Sequence, residues 1–146
     1  IDNDINTFWH CVYPGTTAFP HWVVVNMKQP VVVSIVELTG RQNVFNSFTD
    51  FLIQGSLDGV NWTTYNDPFK FLGVNIPQSF ILTDSPTIQY IRIYQTKGVN
   101  TYSSLAELTV YGYWNIEPTS KSLATKSFTK YWLEQDTPSA CGGVFN

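Results

Sequence analysis

Short hydrophobic segments alternate with polar turns along most of the chain, and no stretch has the convincing spacing of a helix face. The segments are rich in β-branched and aromatic residues, which favour strands, and Pro, Gly, Asn and Asp mark the turns between them. Residues 22–27 and 31–38 are apolar nearly throughout, so we expect both faces of these strands to be buried. The predicted strands are 22–27, 31–38, 50–57, 61–65, 79–83, 90–96 and 105–113. This pattern predicts an all-β fold, an antiparallel β-sandwich.

Composition narrows the class of protein further. The 146 residues suit one domain. Charged residues make up 13% and aromatic residues 16%, a ratio that argues against intrinsic disorder. The net charge is −3 and Arg41 and Arg92 are the only arginines, so a surface that follows nucleic-acid phosphates is not expected. No apolar run approaches the roughly 20 residues of a membrane span.

Two segments outside the predicted strands contain side chains that are suited to ligand binding. Residues 7–21 and 40–49 mix aromatic side chains with His, Arg, Gly and Asn. Connecting segments lie on the surface, so packing alone is a poor explanation for their aromatic residues. These segments are the predicted location of a binding site.

Five motifs in the chain resemble those of the discoidin, or coagulation-factor type C, domains. They occur in the family's order and together cover residues 1–113: IDNDINTFWH, PHWVVVNM, GSLDGVNW, IQYIRIY and SLAELTVYGY. The Trp-His pair, a following aromatic residue and an Arg-plus-Asn loop are most similar to the galactose-binding-like carbohydrate-binding modules. The resemblance implies a jelly-roll-like sandwich and recognition of galactose, N-acetylgalactosamine or a related terminal sugar on glycans.

The resemblance also implies which residues bind the sugar. His10, Arg41 and Asn46 would hydrogen-bond the hydroxyls and Tyr13 would stack on the apolar face of the ring, with Tyr102 as a second platform and Glu134 as an acidic ligand. The residues alone favour the alternative, in which His10 is a capped structural side chain and Arg41 a solvated loop cation. The alternative function is a cell-surface adhesion domain that binds protein or phospholipid.

A metal site is predicted at the start of the chain. Asp2, Asp4 and Thr7 are hard oxygen donors within six residues, which suits Ca²⁺. The resemblance implies a structural calcium here, closed by the carboxylate of Glu107. The alternative is an Asx-turn network that caps a tight loop without metal.

The end of the chain has an unexpected resemblance. Residues 125–146 are similar to the family's first strand and its Gly-rich approach to the Asp motif, with 114–124 as a polar connection after the main body 1–113. A single domain over 1–146 with a circular permutation is therefore the hypothesis, and a slice of a tandem array is the alternative. A disulfide between Cys11 and Cys141 and two reduced, buried thiols both remain open.

The sequence contains no G-x-S-x-G, no H-E-x-x-H and no phosphate-binding Gly loop. We therefore expect a binding module and not an enzyme. By resemblance, such a module would belong to a secreted or cell-surface bacterial protein, attached to a glycosidase or a surface protein in the same parent chain.

Overall fold

Strands form all the regular secondary structure in the part of the chain that a computed structural model describes, residues 4–11, 18–42, 47–114 and 142–145. The strands are β1 (Trp9–His10), β2 (His21–Thr39), β3 (Phe48–Ser56), β4 (Thr63–Lys70), β5 (Gln78–Ile81), β6 (Thr87–Gly98), β7 (Ser104–Leu105), β8 (Glu107–Tyr113) and β9 (Gly142–Phe145). Within these residues, no helix is long and apolar enough to cross a membrane. The predicted all-β sandwich is confirmed.

The long strand β2 belongs to both layers of the sandwich. Its first part pairs with β6, which continues through β3 to β4, and its second part pairs with β5 and β8. The predicted turn at 28–30 is wrong, because β2 runs through it with a register shift between Asn26 and Val31. Lys28 accommodates this irregularity with a φ of 65°. The predicted strand 61–65 also extends further than expected, because β4 continues to Lys70 through an irregularity at Asn66, whose φ is 70°.

The core lies between the two layers and draws on both parts of β2. The expected burial on both faces is confirmed for Val23, Val24 and Val25, all nearly inaccessible to solvent. Four phenylalanines form a packed cluster of edge-to-face and stacked rings: Phe48, Phe51, Phe71 and Phe80. Large rings of this kind supply much of the apolar area that a sandwich core buries.

Among the described residues, all strand pairs but one are antiparallel. Strand β9 runs parallel to the first part of β2, with Gly142 opposite Trp22 and Phe145 opposite Val25. The predicted antiparallel sandwich is confirmed, and β9 adds one parallel strand to it beside β2. Residues 115–141 lie outside the described residues, and the circular permutation stays a prediction.

A carboxylate closes the hairpin between β3 and β4. The Asp58 Oδ1 atom accepts hydrogen bonds from the backbone amides of Val60 and Asn61, each at 2.8 Å, and from the Ser56 hydroxyl at 2.9 Å. These donors favour the charged form and hold the pKa of Asp58 well below its usual value of 3.8. The Arg92 guanidinium lies 4.1 Å from the centre of the Trp62 ring and ties the hairpin to β6.

Asp58→Ala should lower the melting temperature by several degrees near neutral pH, because it removes the acceptor for these donors. A depressed pKa in the folded state contributes stability above the unfolded value and loses it as the pH falls towards the folded value. The difference between the variant and the wild type should therefore shrink below pH 3.8. Thermal unfolding from about pH 7 to about pH 2 measures this, and a constant difference would contradict the role of the charge.

Candidate functional site

Four segments converge at one end of the sandwich, which we call the loop end: residues 4–11, 40–42, 71–77 and 99–103. The Gly40 amide donates to the Val74 carbonyl at 2.8 Å, and the Cys11 amide donates to the Ser103 carbonyl at 3.0 Å. A Cβ atom on Gly40 would lie 2.5 Å from the Gly73 backbone, so only glycine permits this approach. Close backbone packing thus fixes the segments that carry the predicted sugar residues.

The short strand β1 presents His10 at the loop end. It pairs with β7, with Trp9 opposite Leu105 and His10 opposite Ser104. Successive side chains of a strand point to opposite faces. Trp9 is buried in the core, whereas Phe8 and His10 on either side of it are more accessible to solvent.

The structure brings His10 and Tyr102 together. The centres of their rings are 5.9 Å apart at a tilt of 34°. The His10 Nδ1 atom lies within hydrogen-bond distance of the Cys11 carbonyl, which can only accept, so Nδ1 carries the proton. In the neutral imidazole, Nε2 is then the acceptor that is left for a ligand.

Arg41 lies beside β1 through a contact that the sequence did not indicate. Its guanidinium carbon lies 3.7 Å from the centre of the Phe8 ring, a cation–π geometry. Phe8 is 36% exposed and shares the outward side of the chain with His10. The sequence does not indicate this contact, because 33 positions separate Phe8 and Arg41 and only the fold brings them together.

The neighbouring residue Gln42 ties the same two loops together. Its side-chain amide donates to Asn6 Oδ1 at 2.8 Å and to the Ile5 carbonyl at 3.4 Å. The segments containing Arg41 and His10 are therefore joined twice, once by a cation–π contact and once by hydrogen bonds. Tyr13, Asn46 and Glu134, the other predicted sugar ligands, lie outside the described residues.

Three of the four predicted metal ligands, Asp4, Thr7 and Glu107, lie in the described structure. The Asp4 carbonyl accepts from the Thr7 amide at 3.0 Å and from its hydroxyl at 2.9 Å, while Asp4 Oδ1 accepts from the Asn6 amide at 2.9 Å. This is the Asx-turn geometry of the metal-free alternative. Asp2 lies outside the described residues, within which no group of three His, Cys, Asp or Glu side chains is suited to a metal.

Glu107, the predicted calcium ligand farthest along the chain, lies in the described structure. This residue is only 8% exposed. Glu107 begins β8 and lies opposite Thr39 of β2. The donors are hard oxygen atoms of the kind that Ca²⁺ prefers, so their chemistry fits this ion.

A separate cavity of about 300 Å³ lies at the other end of the sandwich. Its lining includes Ser56, Thr63, Tyr65, Thr87 and Ile88 from the β3–β4 hairpin and the start of β6. Strand β3 separates this cavity from the loop end, because it begins at Phe48 near the loops and ends at Ser56. The cavity therefore contains none of the residues predicted to bind sugar.

Comparisons with known proteins agree with the fold and the motifs. The sequence profile of the F5/8 type C domain matches residues 1–108. A family 32 carbohydrate-binding module from C. perfringens NanJ, in complex with galactose, has a TM-score of 0.67 and 29% identity, covering 75% of this chain and 80% of that chain. No curated protein sequence matches the chain.

Two further solved structures are similar. The C-terminal domain of a chitobiase from Bacteroides fragilis has a TM-score of 0.67 and 28% identity, covering 77% of this chain and 76% of that chain. The module CBM32-3 from a family 31 glycoside hydrolase of Clostridium perfringens has a TM-score of 0.65 and 27% identity, covering 76% and 78%. All three similar structures are domains of this fold, and two are named as carbohydrate-binding modules.

Proposed function

Since the chain belongs to the F5/8 type C domain family, we propose that it is a non-catalytic carbohydrate-binding module for galactose, N-acetylgalactosamine or a related terminal sugar. The observation that carries the proposal is the loop end itself, where the His10 and Tyr102 rings are 5.9 Å apart and Arg41 is held beside the same strand. Similarity to a galactose-bound module adds support.

The three described residues have complementary roles in this proposal. A hexose presents hydroxyls in a fixed array together with an apolar C–H face. The His10 Nε2 atom accepts from a hydroxyl, the Arg41 guanidinium donates to others, and the Tyr102 ring packs against the apolar face. Tyr13, Asn46 and Glu134 complete the proposed set.

Binding should be weak and selective. A small exposed site offers few contacts, and the hydroxyls it takes up leave a well-solvated state. A glycan array that includes galactosides, N-acetylhexosamine glycans and unrelated sugars tests the proposal. Retention on terminal galactose or N-acetylgalactosamine supports it, and failure to bind any of them would refute it.

Phe8→Ala should weaken sugar binding by about twofold to fivefold, because an exposed cation–π contact contributes about 0.5–1 kcal/mol. The loss arises from a less restrained Arg41 guanidinium. Phe8→Tyr is the matched control, since it keeps the aromatic ring and should bind as the wild type does. Calorimetric titration of the three proteins with one galactoside compares them directly, and equal affinities would exclude this role for Phe8.

We further propose a structural calcium bound by Asp2, Asp4, Thr7 and Glu107. The ion would be coordinated by hard oxygen donors and would have a structural role, with none in catalysis. The ligands come from the loop that precedes His10 and from the start of β8. Holding these two segments together would stabilise the position of His10.

The proposed parent protein is a secreted or cell-surface bacterial protein, with a glycosidase or a surface protein in the same chain. Two of the similar structures support this proposal, because one is a domain of a chitobiase and another a module of a glycoside hydrolase. The module would then keep its parent close to a glycan surface.

A second candidate function is adhesion to protein or phospholipid. The observation that favours it is a set of strongly exposed apolar side chains at the loop end: Leu72, Ile76 and Val99. Sedimentation with phosphatidylserine vesicles separates the two functions. An adhesion domain that binds phospholipid sediments with the vesicles. A sugar-binding module stays in solution and binds the glycan array.

A further inference from the structure

A cluster of polar side chains lies beneath the loop end, where the neighbouring rows of the sheet are apolar. His21, Gln95 and Ser103 are completely inaccessible to solvent, and we call them the polar cluster. His21 on β2 lies directly opposite Gln95 on β6. The Ser103 hydroxyl donates to Gln95 Oε1.

The hydrogen bonds of the polar cluster lead to the segment that carries Tyr102. The His21 Nε2 atom donates to the Thr101 carbonyl at 2.8 Å. On the other side of Tyr102, the Ser103 amide donates to the Cys11 Sγ atom at 3.2 Å. The backbone is thus fixed both before and after Tyr102, and the second contact includes the residue that follows His10.

This arrangement has a cost in stability. Within the described residues, the His21 Nδ1 and Gln95 Nε2 atoms are buried without a hydrogen-bond partner. Buried polar atoms without partners destabilise a fold. The next inward-facing pair along the same strands, Val23 and Ile93, is apolar, and packing alone would favour apolar residues at His21 and Gln95 too.

We infer that His21 is a positioning residue for the sugar site, an inference that rests on the proposed function. Its imidazole holds the Thr101 carbonyl, and this bond sets the position of the Tyr102 ring relative to His10. The Phe19 ring packs against the imidazole with the ring centres 4.4 Å apart and restricts its orientation. The polar cluster thus orders the binding segment at the expense of core stability.

His21→Leu separates positioning from stability. The leucine fills much of the space and removes the buried Nδ1 atom that lacks a partner, while the carbonyl of the exposed residue Thr101 can accept from water, so the melting temperature should change little. The affinity for methyl β-galactoside should nevertheless fall at least fivefold, because the Thr101 carbonyl loses its donor. His21→Gln keeps an N–H donor on a side chain of similar reach, and it should recover most of the affinity.

Val25→Ala is the control for stability alone. This change leaves a cavity in the core away from the loop end, so it should lower the melting temperature without changing the affinity of the folded protein. The contact between the Tyr102 and His10 rings is followed by nuclear Overhauser effects in every variant. This contact should be lost in His21→Leu and kept in His21→Gln and Val25→Ala.

The outcomes distinguish the inference from the proposed function. If the wild type does not bind methyl β-galactoside, the proposed function fails for this sugar, while the ring contact still tests positioning. If His21→Leu keeps both the affinity and the ring contact, the positioning role is refuted. If His21→Leu does not fold, His21→Gln decides, and loss of the ring contact in that folded variant also refutes the role.

Discussion

His10→Ala should reduce the affinity for galactose-type sugars by about tenfold or more, because losing one partner of a buried hydrogen bond costs about 1–3 kcal/mol. Arg41→Ala should have an effect of at least this size, since its hydrogen bonds are charge-assisted. A weak wild-type affinity would then fall below detection. Calorimetric titration with galactose and N-acetylgalactosamine measures both variants.

The fold should tolerate both changes. Both side chains lie at the surface and are only partly buried, outside the apolar core. Surface substitutions usually alter stability by less than about 0.5 kcal/mol, so the melting temperatures should stay within about 2 °C of the wild type. Val60→Ala, at the strongly exposed tip of the opposite hairpin, is the matched control and should change neither binding nor melting. If His10→Ala or Arg41→Ala unfolds, that residue is structural and its proposed role is wrong.

Chelation of calcium should lower the melting temperature by roughly 5 to 10 °C. An ion that binds only the native state at a hundredfold excess over its Kd contributes about 2.7 kcal/mol, and one kcal/mol corresponds to about 2–4 °C in a domain of this size. The loop before His10 would lose its link to β8, so sugar affinity should fall as well. Thermal unfolding with and without chelator provides the measurement.

Two glutamate variants locate the proposed ion. Glu107→Gln keeps the shape of the side chain and removes its charge. This variant should have a lower melting temperature than the wild type, and chelator should not lower it further. Glu37→Gln makes the same change at a carboxylate that bonds to Ser79 and Tyr111, and it should remain sensitive. Chelation that leaves the wild-type melting temperature and sugar affinity unchanged would establish the metal-free Asx turn.

The sequence predicts the strands well because local patterns determine them. Alternation and β-branched residues identify β3, β6 and β8, and the apolar character of 22–27 and 31–38 indicates their burial. The same local reasoning fails at residues 28–30, where a Lys-Gln-Pro segment looks like a turn. Pairing with β6 on either side of this segment keeps β2 continuous, and pairing partners are not visible in a local pattern.

In the candidate site too, local motifs predict some of the residues, whereas long-range contacts define others. His10, Arg41 and Tyr102 were predicted from motifs, and the structure brings His10 and Tyr102 into ring contact. Phe8 and His21 were not predicted, because their partners are Arg41 and the carbonyl of Thr101, which is 80 residues from His21. Contacts of this kind exist only once the loops have been brought together by the sheet.

The position of the sugar is tested most directly by an NMR titration of the ¹⁵N-labelled protein with methyl β-galactoside and with N-acetylgalactosamine. Saturable chemical-shift changes should occur at the loop end, for the amides of Trp9, His10, Arg41 and Tyr102. The same titration of the His10→Ala variant should produce none. The hairpin residues 56–65, which line the cavity at the opposite end, should stay unchanged. Shifts confined to that hairpin, or no saturable shift with either sugar, would contradict sugar binding at the loop end.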